Sequence, residues 1–183
     1  MIQFAIIALL ASAPNPPVQE GNVRMVSPVH MAVTIADEGT RPLEQLEDWA
    51  ILSQDDPNYS TVQRPSEVAV KAKPISLDKD GGWPFPHVKE YEVILTLPAP
   101  LVSGSTYLVG SLNNEVDATY TPDFERDWTP TLKVNQVGYL PEAPAKYAYA
   151  GYFVAGAMPI DVDDDALNYR VVNAEDASIA YRG

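Results

Sequence analysis

Along Tyr91-Glu92-Val93-Ile94-Leu95-Thr96-Leu97 the side chains alternate, with Tyr91, Val93, Leu95 and Leu97 on one side and Glu92, Ile94 and Thr96 on the other. A period of two is that of an extended strand, so the first set faces a core and the second a mixed surface. Short runs rich in Val, Ile, Thr and Tyr predict further strands over 31–35, 48–52, 67–73 and 106–112. No long stretch carries the three-to-four-residue apolar spacing of an amphipathic helix. The nearest approach is 41–52, where Leu43, Leu46 and Ala50 could share a face behind Pro42, so one short helix there is optional.

Seventeen Pro and ten Gly punctuate these runs, as expected of a sandwich of short strands and frequent turns. After a Pro-rich lead-in at 14–22, residues 23–112 are expected to form a first sandwich. Its most legible turn is Leu97-Pro98-Ala99-Pro100-Leu101-Val102-Ser103-Gly104-Ser105-Thr106-Tyr107. The prolines stop ladder pairing, Gly104 permits a positive φ, and Tyr107 starts the returning strand. The motif resembles a turn of many bacterial immunoglobulin-like and fibronectin-like surface modules. Residues 113–131 are polar, acidic and without apolar periodicity, which reads as a connection, with Phe124 and Trp128 packing against its neighbours.

A second resemblance begins at Lys133-Val134-Asn135-Gln136-Val137-Gly138-Tyr139-Leu140-Pro141, followed by Lys146-Tyr147-Ala148-Tyr149-Ala150-Gly151. The run is similar to the V-N-Q-x-G-Y-x-P strand that opens the N-terminal immunoglobulin-like domain of family 9 glycoside hydrolases, the cellulase family. Tyr169 to Ala174 and Ile179 to Gly183 resemble that domain's next hairpin. The similarity covers about 131–183, some fifty residues, against the ~100 of a complete immunoglobulin-type sandwich. The expected fold is therefore all-β, as two tandem immunoglobulin-like sandwiches with the second truncated.

The resemblance implies an accessory role beside a catalytic barrel. That family inverts at the anomeric carbon, which needs a general acid and a separate general base, and its base motif reads D-A-G-D. This chain contains no D-A-G-D, so no residue is assigned a catalytic role. Its implied partners are a downstream catalytic domain and, through it, a polysaccharide. Asn135, Gln136 and Tyr139 carry the match, and their polar groups are expected to make structural hydrogen bonds because unpaired buried amides cost a few kcal/mol. Gly138 allows a bulge or a close backbone approach before Tyr139.

A net charge of −13 repels phosphate backbones and anionic lipid surfaces, so neither nucleic acid nor membrane is an expected partner. Without cysteine there is no disulfide framework and no thiolate metal site. Residues 2–10 are nearly all apolar and Ala11-Ser12-Ala13 fits an A-x-A cleavage pattern, which suggests a signal peptide at 1–13 and a secreted or cell-surface bacterial protein. The apolar run is about half of the roughly twenty residues needed to span a bilayer.

The remaining candidate chemistry is sparse. Asp161, Asp163 and Asp165 alternate as Ca²⁺ ligands do at the start of an EF-hand loop, but no turn glycine or terminal glutamate follows, and a solvated acidic loop is the plainer reading. No other cofactor is expected. Trp83 and Phe85 lie in a Pro-flanked loop, where they could stack on sugar rings or fold back to cap the sandwich. The two histidines, His30 and His87, sit in different elements without a second ligand at metal spacing, and Asn58-Tyr59-Ser60 is a glycosylation sequon without meaning in a bacterial protein. The functional expectation is an accessory segment of a secreted polysaccharide-degrading enzyme. The alternative is a cell-surface adhesion or carbohydrate-binding module.

Overall fold

The structure, a computed structural model, describes residues 23–37, 43–77, 83, 87–111, 116–127, 129–134, 139–140, 142–153, 170–173, 176 and 178–182. It is all-β: among the described residues the helical elements are two 3-10 turns, Leu46–Asp48 and Pro57–Tyr59. Seven strands form the first part, β1 (Val23–Ser27), β2 (His30–Asp37), β3 (Trp49–Ser53), β4 (Glu67–Leu77), β5 (His87–Thr96), β6 (Tyr107–Ser111) and β7 (Val116–Tyr120). They make an antiparallel sheet in the order β1-β2-β5-β4 and a second in the order β3-β6-β7. Four strands against three, with the first, second, fifth and fourth together, is the strand order of a constant-type immunoglobulin sandwich.

The alternation of β5 holds through the whole register. Tyr91, Val93 and Leu95 pair with Ile35, Val33 and Met31 of β2 on one side and with Ala72, Val70 and Val68 of β4 on the other. These inward positions meet Trp49, Ile51, Tyr107, Val109 and Ala118 of the facing sheet in one buried cluster. Trp49 is fully enclosed, and its indole N–H donates to the Leu43 carbonyl at 3.0 Å, so a large ring is buried without an unmet donor.

The Leu97–Tyr107 turn forms as its residues dictate. Gly104 has φ +84°, a conformation open to glycine at little cost. Leu97 and Leu101 are buried, and their backbone N–H groups donate to the carbonyls of Val29 and Pro28. The Tyr107 hydroxyl accepts from the Val102 N–H at 2.8 Å, five residues upstream, which is the tyrosine corner at the start of the sixth strand. The Tyr59 ring meets the Tyr107 ring edge-on, with centroids 5.3 Å apart.

The strand expected over 48–52 is β3, and the optional helical turn before it is the 3-10 turn Leu46–Asp48, with Trp49 and Ile51 placed in the core. Two features differ from the sequence reading. Strand β1 has little signal in the sequence, because a five-residue run interrupted by Arg24 carries little period. Strand β7 lies inside the stretch read as connection, and it pairs with β6 from Val116↔Ser111 to Tyr120↔Tyr107. Its signal is weak because between Val116 and Tyr120 it carries only Asp117, Ala118 and Thr119.

After β7 come β8 (Leu132–Val134), β9 (Ala148–Ala150), β10 (Arg170–Val172) and β11 (Ile179–Arg182). They form two separate two-stranded ladders, β8 with β9 and β10 with β11. Every residue of these four strands is exposed.

Candidate functional site

The face of the β1-β2-β5-β4 sheet that points away from the core is where chemistry concentrates. The same alternation that turns Val23, Met31, Val93 and Val70 toward the core turns Arg24, Thr34, Glu92 and Lys71 outward. Thr34 and Lys71 stand directly across from Glu92 in the ladder, and Lys73 stands across from Glu90. Opposite charges at facing positions stabilise a sheet modestly.

Glu92 is the centre of this group. Its side chain is only 13% exposed; one carboxylate oxygen pairs with the Arg24 guanidinium and the other lies 3.4 Å from Lys71 Nζ. A third donor comes from far along the chain, because the Tyr152 hydroxyl is hydrogen-bonded to Glu92 and lies against Arg24. Burial, then the bond to the Glu92 carboxylate, pushes the Tyr152 phenol up to about 12. Lys71 Nζ stands over the Tyr152 ring, 5.9 Å from its centroid, at cation–π range.

Beside the charges lies a small apolar patch. Val26, Ala32 and Ile94 are buried although they face away from the main core, and Ala69 and Tyr152 pack against them. The chain reaches this face through the stretch after β7. Thr129 Oγ1 donates to the Val26 carbonyl at 2.8 Å, Thr131 Oγ1 donates to the same oxygen, and the Gly151 N–H donates to the Thr131 carbonyl at 2.9 Å. Between them the face and the covering stretch leave a groove of about 350 Å³, which Lys73, Glu90 and Pro130 also line. It offers ammonium donors and carboxylate acceptors to a polar group, while the Tyr152 ring is already engaged by the patch and by Lys71.

Trp83 is 87% exposed, between β4 and β5. Tyr139 donates its hydroxyl to the Tyr147 carbonyl. Phe124 is 42% exposed, its N–H donating to Ser103 Oγ at 3.2 Å. His30 Nδ1 is 2.8 Å from Ser27 Oγ, and burial lowers its pKa against the opposing charge of Glu67. Phe85, Trp128, Asn135, Gln136, Gly138, Asp161, Asp163 and Asp165, with the expected signal peptide and Pro-rich lead-in, lie outside the described residues. Among the described residues no three His, Asp or Glu side chains are grouped to hold a metal ion, and no helix is long and apolar enough to cross a membrane.

The Arg24–Glu92–Lys71–Tyr152 group escaped the sequence reading because its members lie up to 128 positions apart. The available signal was the outward set of two strands: Lys71 and Lys73 against Glu90 and Glu92, two charge pairs at alternate positions. Compared with known protein families, with curated proteins and with solved structures, the chain matches none of them.

Proposed function

We propose that this chain is a non-catalytic accessory segment of a secreted polysaccharide-degrading enzyme similar to the family 9 glycoside hydrolases, supporting and orienting a catalytic domain. The observation that carries this reading is the contrast between the two parts of the chain. The seven-stranded part buries most of its large apolar residues in one core, with Trp83 an exposed exception, whereas β8 to β11 and their surroundings leave Leu132, Val134, Leu140, Tyr147, Tyr149 and Phe153 from 60 to 75% exposed. Apolar strands in two-stranded ladders are marginal alone and suit burial against further polypeptide. The resemblance of the 133–141 run supplies the kind of polypeptide, a hydrolase barrel.

The experiment is a comparison of the whole gene product with a version lacking residues 23–182. The expected result is a polysaccharide hydrolase whose thermal midpoint and turnover both fall when the segment is removed. A gene product without hydrolase activity, or one indifferent to the deletion, overturns the proposal.

One observation favours a second reading, a carbohydrate-binding module. Trp83 presents most of its indole to solvent, and an exposed flat ring is what a sugar face stacks on. Retention on insoluble glucan that disappears in Trp83→Ala supports this reading, and absence of retention removes it.

A further inference from the structure

The outer face of a sandwich sheet is ordinarily its polar, solvated side, yet here it carries Val26, Ala32 and Ile94, each almost wholly buried. Such a patch is stable only when covered, and the cover is the stretch that follows β7. Three kinds of contact bring it down on the sheet. Thr129 and Thr131 both donate to the Val26 carbonyl, the Tyr152 ring packs on the patch, and the Tyr152 hydroxyl reaches Glu92 between Arg24 and Lys71.

We propose that Arg24, Glu92, Lys71 and Tyr152 form a clasp that locks the β8–β9 ladder onto the first sandwich, so that the two move as one rigid body. The clasp takes one side chain from each of β1, β5 and β4, so it reads the position of three strands at once. Glu92 is nearly enclosed and is served by donors from two cations and a phenol, and charge-assisted hydrogen bonds of this kind are the stronger ones. A buried carboxylate would suffer if any donor left, because the remaining charge is uncompensated. Release of Tyr152 therefore exposes the apolar patch and strips a donor from Glu92 in the same step, and this makes docking all-or-none. At the far end of the covering stretch the Gly151 N–H is returned to the Thr131 carbonyl, so locking Tyr152 also fixes the end of β9.

The proposal concerns how orientation is set and does not depend on what the segment orients, so its failure leaves the accessory role standing, and the reverse holds too. The chain has no cysteine, which allows spin labels to be placed at Gln54→Cys and Glu142→Cys, both exposed, in the full chain. Dipolar spectroscopy should give one narrow distance distribution, broadened in Tyr152→Ala and intermediate in Tyr152→Phe, which keeps the ring and loses the hydroxyl. Exchange of the Gly151 amide should accelerate roughly tenfold in Tyr152→Ala, about what loss of one net hydrogen bond gives. Protection of 91–97 should stay unchanged in both variants; should Tyr152→Ala lose it, Tyr152→Phe and Lys71→Gln carry the comparison. A distribution as narrow in these variants as in the parent, or as broad in the parent as in the variants, overturns the clasp.

Discussion

The Tyr107 hydroxyl donates to the buried Asp56 carboxylate at 2.7 Å while it accepts from the Val102 N–H at 2.8 Å. One phenol thus ties the turn before β6 to the turn after β3. Asp56 uses its other oxygen to cap the Pro57–Tyr59 turn, accepting from the Asn58 N–H at 2.9 Å. Removal of the hydroxyl in Tyr107→Phe leaves a buried carboxylate and a backbone N–H each short of a partner. The expected cost is about 1–3 kcal/mol, read as a lowered urea midpoint at unchanged slope.

Gly104 gives a cleaner test of backbone conformation. A Cβ there would meet nothing within 4 Å, so any penalty for Gly104→Ala comes from φ +84° alone. Left-handed backbone costs an L-residue about 1–2 kcal/mol, and the thermal midpoint should fall accordingly. Gly104→Asn should fall less, since Asn visits that region more readily. Equal losses for Ala and Asn would point to a cause other than φ.

The pH dependence has two limbs. The Tyr107 phenol is raised from 10.0 to about 12 by burial and by the Asp56 carboxylate, so the folded state holds its proton where the unfolded chain releases it. That stability is present below pH 10 and is lost as pH rises toward 12. His30 is lowered from 6.5 by burial. The unfolded chain binds the proton first, so stability falls as pH drops below 6.5. Urea titrations at several pH values should show both limbs, and His30→Gln should flatten the acid one.

Exposed strands predict association. Leu132, Val134, Tyr147, Tyr149, Val171, Val172, Ile179 and Tyr181 are all at least 40% exposed and stand on or beside two-stranded ladders with open edges. The isolated chain should bind a hydrophobic dye and show a concentration-dependent mass in light scattering. Lys or Glu in place of Val134 and Tyr149 should reduce both signals. A monomeric, dye-silent parent would mean that these strands are content in water.

The proposed role also implies that the chain alone releases no reducing sugar from soluble cellulose derivatives or mixed-linkage glucans. Release that disappears when a single carboxylate is replaced by its amide would place a reaction on this chain.

How far the sequence could be read depended on where the information sat. Strand β5 was legible because Tyr91, Val93 and Leu95 alternate without interruption, and the turn at Gly104 because each residue has a local reason to be there. Strand β7 was not, because its core-facing positions are the small Ala118 and the partly buried Tyr120, interleaved with the polar Asp117 and Thr119, so that it reads as part of a polar stretch although its partner β6 directly precedes it. The Glu92 group needs four elements to be in place before it exists, so no spacing announces it. Of the motif run near residue 135 the described residues bear only on Lys133, Val134, Tyr139 and Leu140, and the Tyr139 hydroxyl donates to the Tyr147 carbonyl.

Tyr120 carries a mechanical consequence. Its hydroxyl accepts from the Met25 N–H at 3.1 Å and donates to Asp127 at 2.5 Å, while Asp127 also accepts from the Asp123 N–H. Strands β1 and β7, which belong to opposite sheets, are thereby stitched together at the seam of the sandwich. A pull applied between Val23 and Asp127 loads this stitch together with the Val23 end of the β1–β2 ladder, so Tyr120→Phe should lower the force at which a single molecule yields in an optical trap more than it lowers the equilibrium stability.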